Sequence, residues 1–314
     1  MPFTNLTAEA ITEFYITGFS GTQNPKAVGC IILIIYLLIL LGSSANIYII
    51  ARDKRLHTPM YFFICSLSVV DIIHSTSTSP AMILVLIADI TAISYRSCIT
   101  QMTLYNLAFA MEKFTLSLMA YDRLVAISNP LRYHSILTKT RIVLLTVASW
   151  VLGFAFTAVL TGIADRLPYC RTTLKYAFCD YGAMVRAACV NPDEYFVVST
   201  VLVFFILFGS FALICISYLK IIFTVLKIAP SEDRKKMYST CLNHLIVVAS
   251  VFTLPFVISI VTRIGLVLSL TERNVLIILY SLGPCLVNPF VYCFRTKEIR
   301  IQLFRIFKAI TPQE

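Results

Sequence analysis

Two acidic side chains interrupt long apolar stretches of this sequence. Glu112 lies 11 residues before Arg123, which places it about 16 Å deeper along one helix. Asp71 lies 12 residues after the proline that opens its own apolar run, about 18 Å along a neighbouring helix. Two unpaired charges would not persist at this depth in a dry interior, so we expect a shared cation or proton with water, near Asn46 and Asn288. The alternative is one protonated carboxyl group that is hydrogen-bonded to the other.

Arg263 is a second candidate for chemistry. It lies 27 residues after Lys236, about 40 Å along one helix and therefore at the opposite end. Ser259 lies one turn deeper on the same face, and a guanidinium above a hydroxyl suits a carboxylate ligand. The alternative is that Arg263 only marks the helix end or contacts lipid phosphate. Lys113 directly follows Glu112 and should point about 100° away from it, which leaves its role unassigned.

These side chains require helices that cross a membrane. Of the 314 residues, 58% are hydrophobic and only 13% are charged, against about 25% charged in soluble domains. A spanning helix needs about 20 apolar residues. Runs of this kind cover residues 28–51, 58–88, 98–128, 142–164, 195–219, 237–262 and 274–294. The predicted fold class is therefore an all-α membrane protein, with a seven-transmembrane helix bundle over residues 28–294.

The C-terminal residues 295–314 follow a different pattern. Their apolar side chains fall on one helical face and their basic side chains elsewhere, which is typical of a helix that lies on a membrane surface. The apolar face consists of Ile299, Leu303, Ile306 and Phe307, and the basic residues are Arg300, Arg305 and Lys308. We expect a short amphipathic surface helix and a cytoplasmic tail.

The distribution of charge predicts the orientation in the plasma membrane. With the N-terminus outside, the inner segments hold 17 of the 26 Lys and Arg residues, and basic residues favour the cytoplasmic side. Residues 1–27 are then extracellular, and Asn5 in Asn5-Leu6-Thr7 is a predicted glycosylation site. The polar, acidic N-terminus does not resemble a cleavable signal peptide. The net charge of +10 therefore indicates topology and a lipid environment, and no nucleic-acid partner is expected.

Four cysteines fall on the predicted outer side, where disulfides persist. Cys98 opens the third apolar run, and Cys170, Cys179 and Cys189 lie in the long loop between the fourth and fifth runs. Four cysteines allow three pairings, and free thiols are the alternative. The remaining six lie in or beside apolar runs and are predicted to be small buried hydrophobes. The cysteines and histidines do not show zinc-site spacing, so we expect no metal centre of that kind.

Four segments, in order, carry a family resemblance. They read Leu56-His-Thr-Pro-Met-Tyr-Phe-Phe63, Met119-Ala-Tyr-Asp-Arg-Leu-Val-Ala-Ile-Ser-Asn-Pro-Leu-Arg-Tyr133, Lys236-Met-Tyr-Ser-Thr-Cys-Leu-Asn-His-Leu245 and Asn288-Pro-Phe-Val-Tyr-Cys-Phe-Arg-Thr-Lys-Glu298. They are similar to the signatures LHTPMYFF, MAYDRYVAICxPLRY, KAFSTCxSHL and NPxIYxxRNKE. The chain thus resembles the vertebrate odorant (olfactory) receptors, a family of rhodopsin-like G-protein-coupled receptors. Departures at Leu124, Ser128-Asn129 and Thr296 suggest a divergent, fish-type branch.

This resemblance implies a function and a set of residue roles. It implies a receptor, not an enzyme, that binds a small odorant under the long loop and activates a stimulatory heterotrimeric G protein, which raises cyclic AMP. The ligand-binding residues expected beside Ser259 and Arg263 are Met102, Tyr105, Asn106, Phe109, Phe204 and Tyr280. The residues implied in G-protein activation are Asp122, Arg123, Tyr218, Asn288, Pro289 and Tyr292.

Three finer expectations come from the same resemblance. Asp122 would hold Arg123 at rest and release it on activation, although a cation at this position could also serve topology alone. A sodium ion would lie beside Asp71 and Glu112, and no other cofactor is expected. The disulfide pairs would be Cys98–Cys179 and Cys170–Cys189.

Other classes of membrane protein fit less well. A transporter would show repeat symmetry and paired broken helices, and neither is visible. A retinal-binding light receptor needs a lysine in the seventh span, and residues 274–294 contain none. Enzyme motifs of the HExxH or GxSxG type do not occur. A hormone or peptide receptor is the closest alternative, because its activation residues would look similar.

Overall fold

The computed structural model describes residues 11–228, 231–263 and 269–310, with the backbone alone at residues 228, 231–240, 259–263, 270, 295, 297 and 305–310. Helices make up most of this part of the chain. In chain order they are α1 (Pro25–Arg52), α2 (Pro59–Ala88), α3 (Tyr95–Ser128), α4 (Tyr133–Ile136), α5 (Lys139–Arg166), α6 (Tyr181–Ala187), α7 (Pro192–Ile228), α8 (Ser231–Arg263), α9 (Leu270–Arg295) and α10 (Lys297–Ile310). Each predicted span corresponds to one of the seven long helices, which confirms the predicted fold class.

The helix α3 differs from the other six long helices. Those six are long and apolar enough to cross a membrane, judged by length and composition. In α3 the apolar sequence is broken by Glu112, Lys113, Asp122 and Arg123. Its side chains are buried along most of its length, and it packs against α2, α5, α7 and α8. A central position in the bundle explains how a helix with four charged residues is accommodated, since other helices rather than lipid surround it.

The helices at the periphery of the bundle expose large apolar side chains. Leu41 on α1 is 68% exposed, Leu144 on α5 is 65% exposed and Phe205 on α7 is 70% exposed. Such a surface would be unfavourable in water, whereas a lipid bilayer covers it at no cost. The bundle is therefore that of a multi-pass membrane protein.

Short strands and a short helix close one end of the bundle. The strands β1 (Glu13–Ile16), β2 (Ala92–Ser94) and β3 (Thr173–Leu174) form a sheet in the order β2-β1-β3. In this sheet β1 runs antiparallel to β2 and parallel to β3. The side chains of Phe14 and Ile16 point inward and are fully buried. We call this sheet together with residues 167–191, which contain α6, the outer cap. Here outer and inner name the sides of the membrane that the charge distribution predicts. The strands of the cap were not predicted from the sequence.

Two disulfides tie the outer cap together. Cys98 at the start of α3 is bonded to Cys179, with a Cα–Cα distance of 5.4 Å. Cys170 is bonded to Cys189, with a Cα–Cα distance of 5.3 Å. Both predicted pairs are thus confirmed. The first bond attaches the long loop directly to α3, so the loop lies over the outer end of the bundle.

The helix α10 packs against the opposite end of the bundle. Ile299 is fully buried and Leu303 packs against the same core, whereas Phe304 is 66% exposed. Gln302 donates a hydrogen bond of 2.6 Å to Asp53, and the Arg55 guanidinium lowers the pKa of that carboxyl to about 2. The described part of α10 agrees with the predicted amphipathic helix. The side chains of Ile306 and Phe307, and all of Asn5, lie outside the described residues.

Candidate functional site

Four aromatic side chains meet below the outer cap. The rings of Tyr105 and Phe178 are 4.9 Å apart, and those of Phe109 and Tyr280 are 6.4 Å apart. Tyr105 and Tyr280 interact through their hydroxyls. Tyr105 and Phe109 lie 10 and 14 residues into α3, roughly 15–21 Å from its outer end. These residues, Tyr105, Phe109, Phe178 and Tyr280, form what we call the outer aromatic cluster, and three of them were predicted to bind ligand.

Two further predicted residues lie on the same helix as the cluster. Met102 is fully buried and Asn106 is 8% exposed. The Asn106 amide donates a hydrogen bond of 2.8 Å to the Met102 carbonyl oxygen, so one polar group of this side chain is used within α3. Both residues remain close enough along the helix to contribute to a site built on Tyr105 and Phe109.

Phe204 does not join this cluster. Its side chain is 51% exposed and stacks on Phe208 at a ring distance of 4.4 Å. Phe208 in turn contacts Phe256 of α8, so this face of α7 packs along α8 instead of pointing to α3 and α9. The helical phase of α7 could not be fixed from its nearly uniform apolar sequence. The side chains of Ser259 and Arg263 lie outside the described residues, although the backbone of α8 ends at Arg263 as expected.

Gln101 connects the long loop to the helices beneath it. Its amide nitrogen donates a hydrogen bond of 2.7 Å to the Ser77 carbonyl oxygen, and its amide oxygen accepts one of 2.9 Å from the Cys179 backbone N–H. These two bonds join α2, α3 and the loop around the disulfide. No local sequence signal marks Gln101, because its partners are 24 and 78 residues away.

Two arginines flank one tyrosine within the outer cap. The Arg273 guanidinium lies 4.5 Å from the centre of the Tyr176 ring, and Arg186 donates a hydrogen bond to the Tyr176 hydroxyl. Asp180 caps the first turn of α6 by accepting from the Ala183 backbone N–H at 2.6 Å. Burial raises the pKa of Asp180 to about 6, although its hydrogen bond and the two arginines act in the opposite direction.

A polar layer crosses the middle of the bundle. The Asn288 amide donates a hydrogen bond of 2.8 Å to the Asp71 carboxylate. Asn46 donates to the Pro289 carbonyl oxygen at 3.5 Å and accepts from the Cys293 thiol at 3.0 Å. The structure therefore joins α2 to α9 and α1 to α9 through the asparagines that were predicted to lie near the carboxylates.

Lys113 occupies a place that the helical geometry did not predict. Its ammonium lies 2.6 Å from a carboxylate oxygen of Glu112, and both side chains are only 1% exposed. Adjacent residues on a helix do not face each other, but the flexible four-carbon stem of lysine allows its ammonium to turn back. The same ammonium lies 4.1 Å from the centre of the Phe109 ring, a favourable cation–π distance.

The Lys113–Glu112 ion pair lies where a sodium ion was predicted to bind. The Asp71 and Glu112 carboxylates interact electrostatically, and two carboxylates are suitable oxygen ligands for a hard cation. However, an ammonium already contacts Glu112. Within the described part of the chain, one oxygen of each carboxylate and both ring nitrogens of His74 have no hydrogen-bond partner. The donor set thus does not fit sodium in the predicted manner, since a protein cation is already present.

At the inner end of α3, the Asp122–Arg123 pair is held in place by a third residue. The Arg123 guanidinium lies 3.5 Å from one Asp122 oxygen, and the Tyr133 hydroxyl donates a hydrogen bond of 2.6 Å to the other. Burial raises the pKa of the Tyr133 phenol, as does the Asp122 charge, so Tyr133 stays protonated as a donor. Arg123 must therefore break its contact with Asp122 before it can bind another partner.

His244 links three helices near Arg123. Its Nε2 lies 3.1 Å from the Leu116 carbonyl oxygen of α3, and its Nδ1 lies 2.9 Å from the Tyr218 hydroxyl of α7. Since a carbonyl oxygen can only accept, Nε2 donates, and Nδ1 then accepts from the hydroxyl. We call these contacts the His244 clasp. His244 lies within one of the matched sequence segments, but its partners on other helices could not be read from that segment.

Tyr292 completes the inner arrangement. It is 2% exposed, and its hydroxyl lies 3.8 Å from the Met119 sulfur on α3. Pro255 lies within α8, and Pro284 and Pro289 lie within α9. Such prolines are tolerated in membrane helices when neighbours satisfy the freed carbonyl groups. Near this break in α9, the Asn46 amide donates to the carbonyl oxygen of Pro289 itself. The residues predicted for activation therefore line one continuous region from the polar layer to the inner end of α3.

Comparison with known proteins agrees with this arrangement. A family model described as olfactory receptor matches residues 32–309. Olfactory receptor 10G4 of Homo sapiens is 34% identical over 310 residues, which cover 98% of each chain. Olfactory receptor 2F1 of Homo sapiens is 35% identical over 293 residues, or 92% of each chain. Olfactory receptor 5G26 of Mus musculus is 36% identical over 304 residues, or 95% of this chain and 94% of the relative.

These likenesses extend over nearly all of the chain, including the inner motifs and the outer cap. They do not test the fish-type prediction, which stays a prediction. The family consists of receptors and not enzymes, and its members sense odorants and couple to G proteins. On this evidence the chain belongs to the olfactory receptor family of rhodopsin-like, seven-helix G-protein-coupled receptors.

Proposed function

We propose that this chain binds a small carboxylate odorant in the outer half of the bundle and activates a stimulatory heterotrimeric G protein, which raises cyclic AMP. It does so in the plasma membrane, with its N-terminus outside. The observation that carries this proposal is that α3 contains both Phe109 of the outer aromatic cluster and Arg123 at the inner end. A single helix therefore joins the candidate ligand site to the candidate G-protein site.

The composition of the outer aromatic cluster supports a small, largely apolar ligand. Ligand pockets are lined mainly by apolar and aromatic side chains with a few convergent polar groups. Tyr105 and Tyr280 supply hydroxyls, and Phe109 and Met102 supply apolar surface. The outer cap closes over this region through Phe178, which favours a small molecule over a peptide.

Positive charge at the outer end supports a carboxylate. Arg186 and Arg273 lie in or beside the outer cap around Tyr176, and α8 ends at Arg263. Guanidinium groups bind carboxylates in a bidentate manner, and a field of one sign at a site entrance raises the local concentration of the oppositely charged ligand. Arg263 above Ser259 remains our candidate anchor.

The inner contacts support a switch that a ligand can bias. Arg123 is held by Asp122, and α8 is held to α3 and α7 by the His244 clasp. A ligand shifts such an equilibrium only as far as it binds one state more tightly than the other. A carboxylate that contacts both α3 and the outer end of α8 would have this differential effect.

A cyclic AMP assay with paired ligands tests the proposal. Cells that express the chain would be exposed to small carboxylic acids, their methyl esters, amino acids, bile acids and peptides. We expect responses to acids but not to the matching esters. Arg263→Ala should abolish the response to acids, and Phe109→Ala should weaken it at least tenfold. Phe205→Leu, at a position of α7 that is 70% exposed, serves as the matched control outside the cluster.

The outcomes separate the parts of the proposal. Responses to esters as strong as to acids, or an unchanged acid response in Arg263→Ala at equal surface expression, would contradict the carboxylate anchor. A calcium signal without cyclic AMP would contradict the stimulatory G protein. Responses confined to peptides would favour the hormone or peptide receptor instead.

A further inference from the structure

Three charged side chains are buried in the middle of the bundle. Asp71, Glu112 and Lys113 are each 1% exposed, so each charge is removed from water. A buried charge persists only when it is paired and hydrogen-bonded. Glu112 meets this condition through the Lys113 ammonium at 2.6 Å, and Asp71 meets it in part through the Asn288 amide at 2.8 Å.

We propose that the Lys113 ammonium takes the place of the cation that Asp71 and Glu112 would otherwise bind, so that this receptor carries its own counter-ion and does not require sodium. The ammonium contacts one of the two carboxylates and belongs to the helix that presents it. A tethered cation is present at any salt concentration, because it does not dissociate.

The position of Lys113 would also exclude a second cation. Two like unit charges about 4 Å apart at an effective dielectric constant of about 20 repel strongly enough to weaken binding of the second roughly a thousandfold. The neighbouring side chains hold the ammonium where it is. It lies 4.1 Å from the centre of the Phe109 ring and 5.9 Å from that of Tyr280, and both rings attract a cation through their faces.

The thermal stability of the purified full-length receptor in sodium chloride and in an equal concentration of choline chloride tests this inference. We expect the wild type to unfold at the same temperature in both salts. Lys113→Arg keeps a cation and should behave like the wild type. Lys113→Met removes the charge but keeps most of the volume, so it should be less stable in choline and regain stability as sodium is added.

A double variant keeps the test decisive. Lys113→Met combined with Glu112→Gln removes both charges, so it should fold in both salts and show no dependence on sodium. If Lys113→Met fails to fold in either salt, rescue by Glu112→Gln supports the proposal, and the absence of rescue contradicts it. A wild type that sodium stabilises over choline would also contradict it.

This measurement needs neither an odorant nor a G protein. Its failure would therefore leave the proposed function untouched, and failure of the cyclic AMP assay would leave this inference standing. The distinction matters because the ammonium also contacts Phe109, which the proposed function places at the ligand.

Discussion

Individual buried side chains of this receptor show what helical geometry can and cannot predict. The similar depth of Asp71 and Glu112 follows from counting residues along two helices, and Asn288 was expected nearby. The contact of Lys113 with Glu112 was not predictable, because residue spacing gives the direction of the Cβ atom and not the end point of a flexible side chain. The ligand-binding role of Phe204 stays a prediction, because several faces of α7 are equally apolar and the sequence does not fix which one faces the cluster.

The side chain of Asp180 makes receptor stability depend on pH. The folded state raises the pKa of this carboxyl from its ordinary value of 3.8 to about 6, so the folded state binds the proton more tightly than the unfolded state. The stability from this group is full below about pH 4 and is lost as pH rises through about 6. At about 1.4 kcal/mol per pKa unit, the loss is at most about 3 kcal/mol, because the side chain is partly exposed.

Thermal unfolding of the purified receptor between about pH 4.5 and about pH 7.5 checks this expectation. The unfolding temperature of the wild type should fall as pH rises. Asp180→Asn keeps a residue that caps helices well but cannot titrate, so it should remove this part of the pH dependence. An identical pH profile in the two proteins would show that Asp180 does not contribute.

At the scale of elements, long helices were predictable and the outer cap was not. Hydropathy over about 20 residues identifies a spanning helix. For α3 the hydropathy is lowered by charged residues, so the sequence motif at residues 119–133 was also needed to identify it as a span. The strands of the cap contain two to four residues, too few for a periodic pattern. The backbone N–H of Tyr15 donates to the Thr172 carbonyl oxygen, a pairing that local sequence does not encode.

A matched pair of glycine variants tests the role of the outer cap. A Cβ atom at Gly18 would overlap the Tyr176 backbone, whereas one at Gly21 would meet only the Thr271 hydroxyl at 3.9 Å. Gly18→Ala should therefore displace β1 and reduce both surface expression and odorant potency several-fold. Gly21→Ala should match the wild type in cell-surface labelling and in the cyclic AMP assay; equal behaviour of the two variants would argue against tight docking of β1.

The His244 clasp gives a prediction for α8. His244→Phe keeps a ring but removes two hydrogen bonds that join α8 to α3 and α7. At about 1 kcal/mol each, their loss favours release of α8 by roughly thirtyfold in the equilibrium constant. Basal cyclic AMP should rise several-fold at equal surface expression.

Ser250→Ala is the matched control for this variant. The Ser250 hydroxyl donates to the Val247 carbonyl oxygen within α8 itself, so its loss leaves the interhelical contacts in place. Basal activity that falls or stays unchanged in His244→Phe would show that the clasp does not hold the resting state.

At the scale of the whole molecule, charge distribution predicts which end faces the cell interior. An epitope tag at the N-terminus should be accessible to antibody on intact cells, and one at the C-terminus only after permeabilisation. Treatment with an N-glycosidase should increase the electrophoretic mobility of the wild type but not of Asn5→Gln. Both tags on one side of the membrane would contradict an odd number of spans.

The central feature of the proposed mechanism is that α3 joins an odorant site to a G-protein site. The most direct test is odorant-stimulated nucleotide exchange by a purified stimulatory G protein, in membranes that contain wild-type receptor or Arg123→Ala. An acid identified in the cyclic AMP panel should raise the thermal stability of both receptors but accelerate exchange only with the wild type. Exchange that is equally fast with Arg123→Ala, or not accelerated by the wild type, would contradict the account.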